Sequence, residues 1–390
     1  MRMMSSEGGS NKSILYIAVS KGHLAIFHEP HLCWLRNNGY RVDIAAGPSA
    51  DFVIKEVDYF HEVIFARSPF SFQNIRALLA LVKLLRAKPY TLVHCHTPVA
   101  SVLTRLASLF SKGRPVVLYT AHGFHFFPGA PLNNWVLWFS IEWLFTRLTD
   151  IVITINRCDE RAAIRWLRAK RVRLIPGIGI DTERFYPPAR FDYEAQRKKL
   201  NIPEEAFVLL YIAEFIPRKN HAFLIQSIVK MQVKIPGLIL LLAGDGPLLE
   251  STKKDCASHG LSSKVNFLGF RRDIPELSFA ADLSVSVSRQ EGLPIGVAEL
   301  MATGIPVVAS EDRGHRELVK HGVTGFLFHQ NNEDEFVDYV VKLANDAELR
   351  RTMGLAAREH IQSFSLTESV ASMARIYNEA EKLSKSRKFF

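Results

Sequence analysis

Leu283-Ser-Val-Ser-Val-Ser-Arg-Gln-Glu-Gly-Leu-Pro-Ile-Gly-Val-Ala-Glu-Leu-Met-Ala-Thr-Gly-Ile-Pro-Val-Val-Ala309 is the most informative stretch of the chain. A short apolar run leads into a glycine-rich turn, then a helical pattern, then a second apolar run. Short apolar strands alternating with helices specify a parallel sheet with helices on its faces. The alternation extends both ways. Strand-like runs occur at residues 14–19, 42–46, 92–94, 116–120 and 151–154, and again at 208–213, 238–243, 265–268, 283–287 and 306–309. Amphipathic stretches separate them. Between the two series lies the polar segment 181–203, with Pro187-Pro188 inside it, which reads as a linker. The expected architecture is therefore α/β, with two doubly wound domains in tandem. They span residues 12–185 and 204–365, and a C-terminal helix over 366–390 is expected to return to the first. Ligands of such sheets bind beyond the carboxyl ends of the strands, and a cleft between two such domains is a common ligand site.

Composition sets bounds on class. A length of 390 residues suits two or three domains. Hydrophobic residues at 48% and charged residues at 23% are ordinary for a globular protein and exclude collagen, coiled coil and wholesale disorder. The longest apolar runs are strand-sized, against the roughly 20 residues of a membrane-spanning helix. The start of the chain, residues 1–12, is polar and reads as no signal peptide. Cys33, Cys95, Cys158 and Cys256 are scattered, with no CxxC pair, and read as reduced structural thiols of a cytosolic protein.

The net charge of +10 is unevenly placed. Residues 1–190 hold 24 Lys/Arg against 13 Asp/Glu, and residues 191–390 hold 25 against 26. A basic half implies an anionic partner: nucleic acid, acidic lipid or a phosphorylated substrate. No helix-turn-helix, zinc-finger or RNA-recognition signature accompanies it, so nucleic acid is excluded as a partner. Three segments favour a membrane interface instead. Residues 75–88 are amphipathic with basic edges, residues 133–145 are apolar with three tryptophans, and Arg161, Arg165 and Arg168 recur at helical spacing. The same segments also fit ordinary helices packed on a sheet.

Several side chains in these frames carry chemistry. Glu291 and Glu299 stand eight residues apart across the glycine-rich turn. Gly292 and Gly296 allow close backbone approach to a ligand, and the amides of a following helix N-terminus suit a diphosphate. Glu299 has the chemistry to accept hydrogen bonds from a ribose diol. The pattern also fits a plain helix start whose acidic residues favour its dipole. His122 follows a strand at its carboxyl end. His94 and His96 are read as facing opposite sides of their strand, with no third metal ligand in view, so a metal is not expected.

In this frame Glu291-x7-Glu299 resembles the nucleotide-sugar motif of family 4 glycosyltransferases, which have the GT-B fold: two Rossmann-like doubly wound domains facing each other across a cleft. Phe267-Leu-Gly-Phe-Arg-Arg-Asp-Ile274, Ala281-Asp-Leu283, Ser288-Arg-Gln-Glu-Gly292, Glu299-Leu-Met-Ala-Thr-Gly-Ile-Pro-Val-Val308 and Gly244-Asp-Gly-Pro-Leu248 follow the family's order. Ala66-Arg-Ser-Pro-Phe-Ser71, His94-Cys-His-Thr-Pro98, Tyr119-Thr-Ala-His-Gly-Phe-His-Phe-Phe127 and Arg313-Gly-His-Arg-Glu-Leu318 resemble the bacterial capsular and exopolysaccharide members. The resemblance spans residues 13–365 and its motifs are collinear.

The resemblance implies transfer of a sugar from a nucleoside diphosphate, with UDP the expected nucleotide, and with retention of anomeric configuration. The acceptor would be lipid-linked or a saccharide in surface polysaccharide synthesis, a polyprenyl-diphosphate-linked saccharide being the expected form. Glu299 would bind the ribose and Glu291 the donor sugar. Lys219 falls where the family places its phosphate lysine. Glu214 stands where the family commonly has arginine, and Arg218 is the candidate to replace it, although a solvated loop charge fits it equally. His122 would be the active-site histidine, with Glu291 the other catalytic candidate. Gly22, Gly292, Leu293, Phe270 and Arg271 would flank the nucleotide sugar, largely through backbone, and His23 and His96 would lie on the acceptor side. Closure of the cleft would exclude water. No cofactor or metal is implied. The expected location is the cytoplasm, peripheral on the inner face of the plasma membrane. Two alternatives stay open: a GT-B epimerase or hydrolase acting on nucleotide sugars, and a non-catalytic nucleotide-sugar-binding partner of an assembly complex.

Overall fold

A computed structural model describes residues 12–49, 52–66, 68–186 and 192–387. Arg67 of the motif at 66–71, Pro187-Pro188 of the expected linker and the polar start at 1–11 lie outside the described residues. The chain divides into two compact units, Met1–Gly179 with Leu366–Phe390, and Ile180–Ser365.

The first unit is built on seven parallel strands: β1 (Ser13–Ser20), β2 (Arg41–Gly47), β3 (Tyr59–Glu62), β4 (Leu92–His96), β5 (Val116–Ala121), β6 (Ile151–Thr154) and β7 (Val172–Leu174). Their order is β3-β2-β1-β4-β5-β6-β7. The second holds six: β8 (Phe207–Ile212), β9 (Leu238–Ala243), β10 (Val265–Gly269), β11 (Leu283–Ser286), β12 (Val307–Ser310) and β13 (Gly325–Phe328), ordered β10-β9-β8-β11-β12-β13. β4, β5 and β9 are buried at every position. Helices cover both faces of such a sheet, so its central strands read as unbroken apolar runs. β3, β7 and β13 escape the sequence reading. Each is a sheet-edge strand of three or four residues; β3 reads Tyr-Phe-His-Glu and is largely exposed, so it carries no apolar run. Each sheet reverses its strand order once, between β1 and β4 and between β8 and β11, and such reversal points are where doubly wound sheets take ligands.

The segment read as linker is part of the second unit. Phe185 is buried in a cluster with Val297, Met301 and Ile361. Helix Tyr193–Lys199, capped by Asp192, carries Arg197, whose guanidinium bonds Asp282 Oδ2 at 2.8 Å and the carbonyls of Glu204 and Ala206. The boundary therefore falls at 179/180 and not at 185 and 204, because a polar sequence was stitched down by one arginine and one buried aromatic.

The C-terminal helix Leu366–Arg387 packs within the first unit. Ser369 Oγ lies 3.2 Å from His31 Nε2, Tyr377 Oη 3.0 Å from His94 Nδ1, and Glu379 pairs with Arg173 at 2.7 Å. Two expected surface features change. Trp135 and Trp138 pack against the core of the first unit, leaving Trp143 as the exposed tryptophan of the three, under the Arg147 guanidinium. Helix Arg157–Arg165 ends before Arg168, which sits at φ +50°, so the basic helix face is formed by Arg157, Arg161 and Arg165 without Arg168. Cys33, Cys95 and Cys256 form no disulfide.

Candidate active site

In the second unit the loops after β8 and β11 meet at the strand-order reversal. After β8 the chain makes a tight turn, Pro217–Lys219, closed by Asn220 in the left-handed region at φ +57°. Tyr211 on β8 donates to the Lys219 carbonyl at 2.8 Å and shares a hydrogen bond with Ser288 after β11 at 2.9 Å. The Arg289 amide donates to the Arg218 carbonyl at 2.8 Å. These ties deliver Lys219 Nζ to Glu291 Oε1 at 2.5 Å and Arg218 Nη1 to Glu291 Oε2 at 3.2 Å. Arg218, expected either as a phosphate contact or a solvated loop charge, is thus engaged at the site. Glu214 is exposed, and among the described residues no hydrogen bond or ion pair holds its side chain. Burial pushes the Glu291 carboxyl up, but Lys219 and Arg218 outweigh it and hold the group below the usual carboxylate range. Two cations against one carboxylate leave a net positive charge, which suits a diphosphate.

Glu291 is braced from behind. Its amide donates to Asp312 Oδ2, whose other oxygen accepts the His315 amide at 2.8 Å. His315 Nε2 lies 2.8 Å from Ser286 Oγ on β11, and His315 Nδ1 3.0 Å from Asp312 Oδ1. Gly314 is required by this approach: a Cβ there would stand 2.8 Å from Glu291 Cβ and 2.9 Å from its backbone. Asp312 and Gly314 were missed as site residues. Their signal was the Arg313-Gly-His315 motif itself, whose glycine, at φ −76°, has no backbone conformation that requires it.

Glu299 lies in the middle of helix Ile295–Ala302, half-buried. Among the described residues no hydrogen bond or ion pair holds its carboxylate, and burial pushes its pKa up to about 7, against the opposing pull of Arg184. One expectation is corrected here. Gly296 does not open the backbone to a ligand: a Cβ would meet Ile212 at 3.3 Å, so this glycine lets the helix lie close on β8. Arg271 turns its guanidinium onto Asp273 at 2.8 and 2.5 Å, leaving only its backbone to flank a base. Leu293 packs with the apolar cluster around Val297 and Met301. Phe270, by contrast, is 70% exposed after β10. Gly244 and Gly246, at φ +152° and +150°, bring the loop after β9 against the backbone of Ala213 and Phe215, where no side chain fits.

In the first unit the end of β4 and the segments after β1 and β5 gather histidines. Lys21-Gly22-His23 is not a loop: Ser20 accepts the His23 amide at 3.2 Å and caps helix Lys21–Phe27. The Gly22 amide is directed at Ser49 Oγ, 3.3 Å away. His94 and His96 do not face opposite sides. Residues two apart on a strand share a face, and their ring centroids are 4.2 Å apart. His94 is held at both nitrogens, by Tyr377 and Thr120. His96 Nδ1 lies 3.2 Å from His122 Nε2. His23 and His28 stand beside His122, with centroids at 5.2 and 5.4 Å. Burial pushes His23 down to about 4 and His122 to about 3, so both rings are neutral at pH 7. His28 was missed, because nothing in its local sequence marks it; only the fold brings it to His96, 4.2 Å away.

Doubly wound sheets commonly hold nucleotides at their reversal points, and both reversal points here carry polar side chains. The chain matches the family described as Glycosyltransferase Family 4 over residues 32–184 and Glycosyl transferases group 1 over residues 192–360. It is 37% identical over 375 residues to a Bacillus subtilis (strain 168) chain named glycosyltransferase EpsD, covering 94% of this chain and 96% of that one. It is 26% identical over 338 residues to an Escherichia coli UDP-Gal:alpha-D-GlcNAc-diphosphoundecaprenol alpha-1,3-galactosyltransferase, covering 85% and 86%. The structure of Anabaena Alr3699/HepE in complex with UDP and glucose superposes with a TM-score of 0.79 at 22% identity, over 94% of this chain and all of that one. The chain belongs to the family 4 glycosyltransferases, and its two Rossmann-like units are of the GT-B type.

Proposed function

We propose that this glycosyltransferase moves a sugar from a UDP-sugar to a polyprenyl-diphosphate-linked saccharide, with retention of configuration, in surface polysaccharide synthesis. The observation that carries the reading is the convergence of Lys219, Arg218 and Glu291 at the carboxyl ends of β8 and β11, with Glu299 on the helix that follows. Glu299 accepts the ribose diol. Lys219 and Arg218 offset the charge that grows on the leaving diphosphate, the kind of electrostatic stabilisation that dominates many transfers. Glu291, fixed by Asp312, orients the donor sugar. His122 and His96 line the acceptor side of the reaction, near His23. No resident metal or cofactor takes part. The E. coli relative's name, with its UDP-linked donor and lipid-diphosphate acceptor, and the UDP complexes of the Anabaena protein support this choice of substrates.

The acceptor places the enzyme on the cytoplasmic face of the membrane, as a peripheral protein. No helix among the described residues is long and apolar enough to cross one. Phe72, Ile75, Arg76, Leu79, Lys83 and Arg86 form one exposed stripe leading into and along helix Gln73–Ala87, which supports an anionic lipid surface as partner.

The test is donor binding by thermal shift across nucleoside diphosphates and nucleotide sugars, followed by turnover of the best donor with a polyprenyl-diphosphate sugar. A larger shift with one UDP-sugar than with UDP, abolished by Glu299→Ala, and product formed only with acceptor is the expected result. Consumption of donor without acceptor would replace transfer with hydrolysis or epimerisation.

A further inference from the structure

We propose that His23, His28 and His122 form a three-imidazole site for a divalent transition ion of the Zn2+ type, and that its occupancy withdraws His122 from sugar transfer. The second half rests on the role given to His122 above; the first does not. One ligand atom from each of the three rings lies within 4.8 Å of the others. Their ring centroids form a near-equilateral triangle with sides of 5.2, 5.3 and 5.4 Å. In a tetrahedral zinc site, with Zn–N about 2.0–2.1 Å, the nitrogens stand about 3.4 Å apart, so side-chain rotations of about 1 Å close the set.

The hydrogen bonding around the triangle is that of ligands waiting to be used. Nε2 of His23 and Nε2 of His28 are buried and have no hydrogen-bond partner among the described residues. His28 Nδ1 is 3.1 Å from the Tyr16 hydroxyl, which fixes the ring and leaves Nε2 turned inward. Metal-bound histidines characteristically engage their second nitrogen in this way. His122 is likewise oriented by His96 at 3.2 Å. Two orphaned imidazole nitrogens in one pocket are costly unless something occupies it. The donor set decides the class of ion. Three neutral imidazoles and no carboxylate suit zinc, copper or nickel, whereas magnesium and calcium require oxygen. His28 is fully buried while His23 and His122 are half-buried, so the fourth coordination position opens on the side of those two. An ion there competes directly for the His122 lone pair.

The experiment uses untagged, metal-stripped, full-length protein titrated with Co2+, read by the visible absorption of tetrahedral cobalt, with Zn2+ as competitor. One equivalent of Co2+ taken up and displaced by Zn2+ is expected. His23→Gln weakens that uptake by at least ~10-fold, while His329→Gln, an exposed histidine of the other unit, leaves it unchanged. A UDP-induced thermal shift preserved in His23→Gln shows that the variant is folded, and that shift tests donor binding separately. Absence of one-equivalent uptake, or uptake indifferent to His23→Gln, overturns the site. Zn2+ is expected to inhibit transfer in the wild type; saturating Zn2+ with full transfer activity overturns the inhibition and the role of His122 together.

Discussion

Glu299 is the residue whose ionisation should be visible from outside. Its pKa of about 7 lies well above the ordinary 4.5, because burial disfavours the charge. Accepting two hydroxyls of a ribose needs the carboxylate. Affinity for a UDP-sugar, whose diphosphate does not titrate in this range, should therefore fall as pH drops below about 7, approaching tenfold per unit; calorimetric titration from pH 5.5 to 8.5 reads it. The stability consequence has the opposite sign. A carboxyl whose folded pKa is raised contributes fully to stability below its unfolded value of 4.5 and loses that contribution as pH rises from there to about 7. Glu299→Gln should then melt higher than the wild type at pH 8, by about 1–3 kcal/mol of stability, with the gap closing toward pH 5. Equal melting curves at pH 8 would mean the carboxylate is better solvated than its surroundings indicate. Gly314→Ala tests the bracing of Glu291. Its new Cβ cannot coexist with Glu291 where it stands, and a displacement of about 1 Å should lower kcat/KM by about 100-fold. Far-UV spectra should stay unchanged.

At the scale of elements, helix Gln73–Ala87 does two things with one sequence. Ala77, Leu81 and Leu85 are buried, while Ile75, Leu79, Arg76, Lys83 and Arg86 remain exposed. An amphipathic helix of a soluble domain places polar residues on its outer face; here apolar and basic residues share it, preceded by Phe70 and Phe72 at 78% and 86% exposure. If this face meets anionic lipid, each basic residue contributes about 1 kcal/mol. Arg76→Glu and Lys83→Glu should each weaken co-sedimentation with phosphatidylglycerol vesicles at least fivefold, while UDP binding is unchanged. Undiminished binding would move the contact elsewhere on the unit. The helix was legible as amphipathic in sequence. Whether its apolar residues beyond the core stripe were covered was not, because that depends on what packs beside it.

Over the whole molecule, charge follows the division into units more closely than the division into halves. The unit formed by residues 1–179 and 366–390 holds 27 Lys/Arg against 14 Asp/Glu, and residues 180–365 hold 22 against 25. The basic unit carries +13 and its partner −3. Vesicle binding should accordingly decline steeply between 0.05 and 0.5 M salt, on the order of the screening expected as the Debye length falls below about 10 Å. Donor binding, resting on the half-buried Lys219 and the buried Glu291, should decline less. Vesicle binding that salt leaves nearly unchanged would place the lipid contact on the apolar residues of this face instead of its basic ones.

What the chain determines locally was readable in it. The apolar runs of β1, β4, β8 and β9 are long, buried and bounded by turns, so their period survives in one dimension, and Glu291, Glu299 and Lys219 were found because each sits in a fixed frame after such a run. Other features were decided by contacts distant in sequence. Phe185 and Arg197 turned a polar linker into part of a domain. Gly296 proved to serve helix packing and Gly314 the bracing of Glu291, since a glycine's reason lies in whatever approaches it. The histidine triangle joins residues 23, 28 and 122, and only the neighbouring of β1, β4 and β5 in the sheet brings them together. Sequence fixes what repeats along the chain, whereas the packing of a parallel sheet decides which of its loop residues meet.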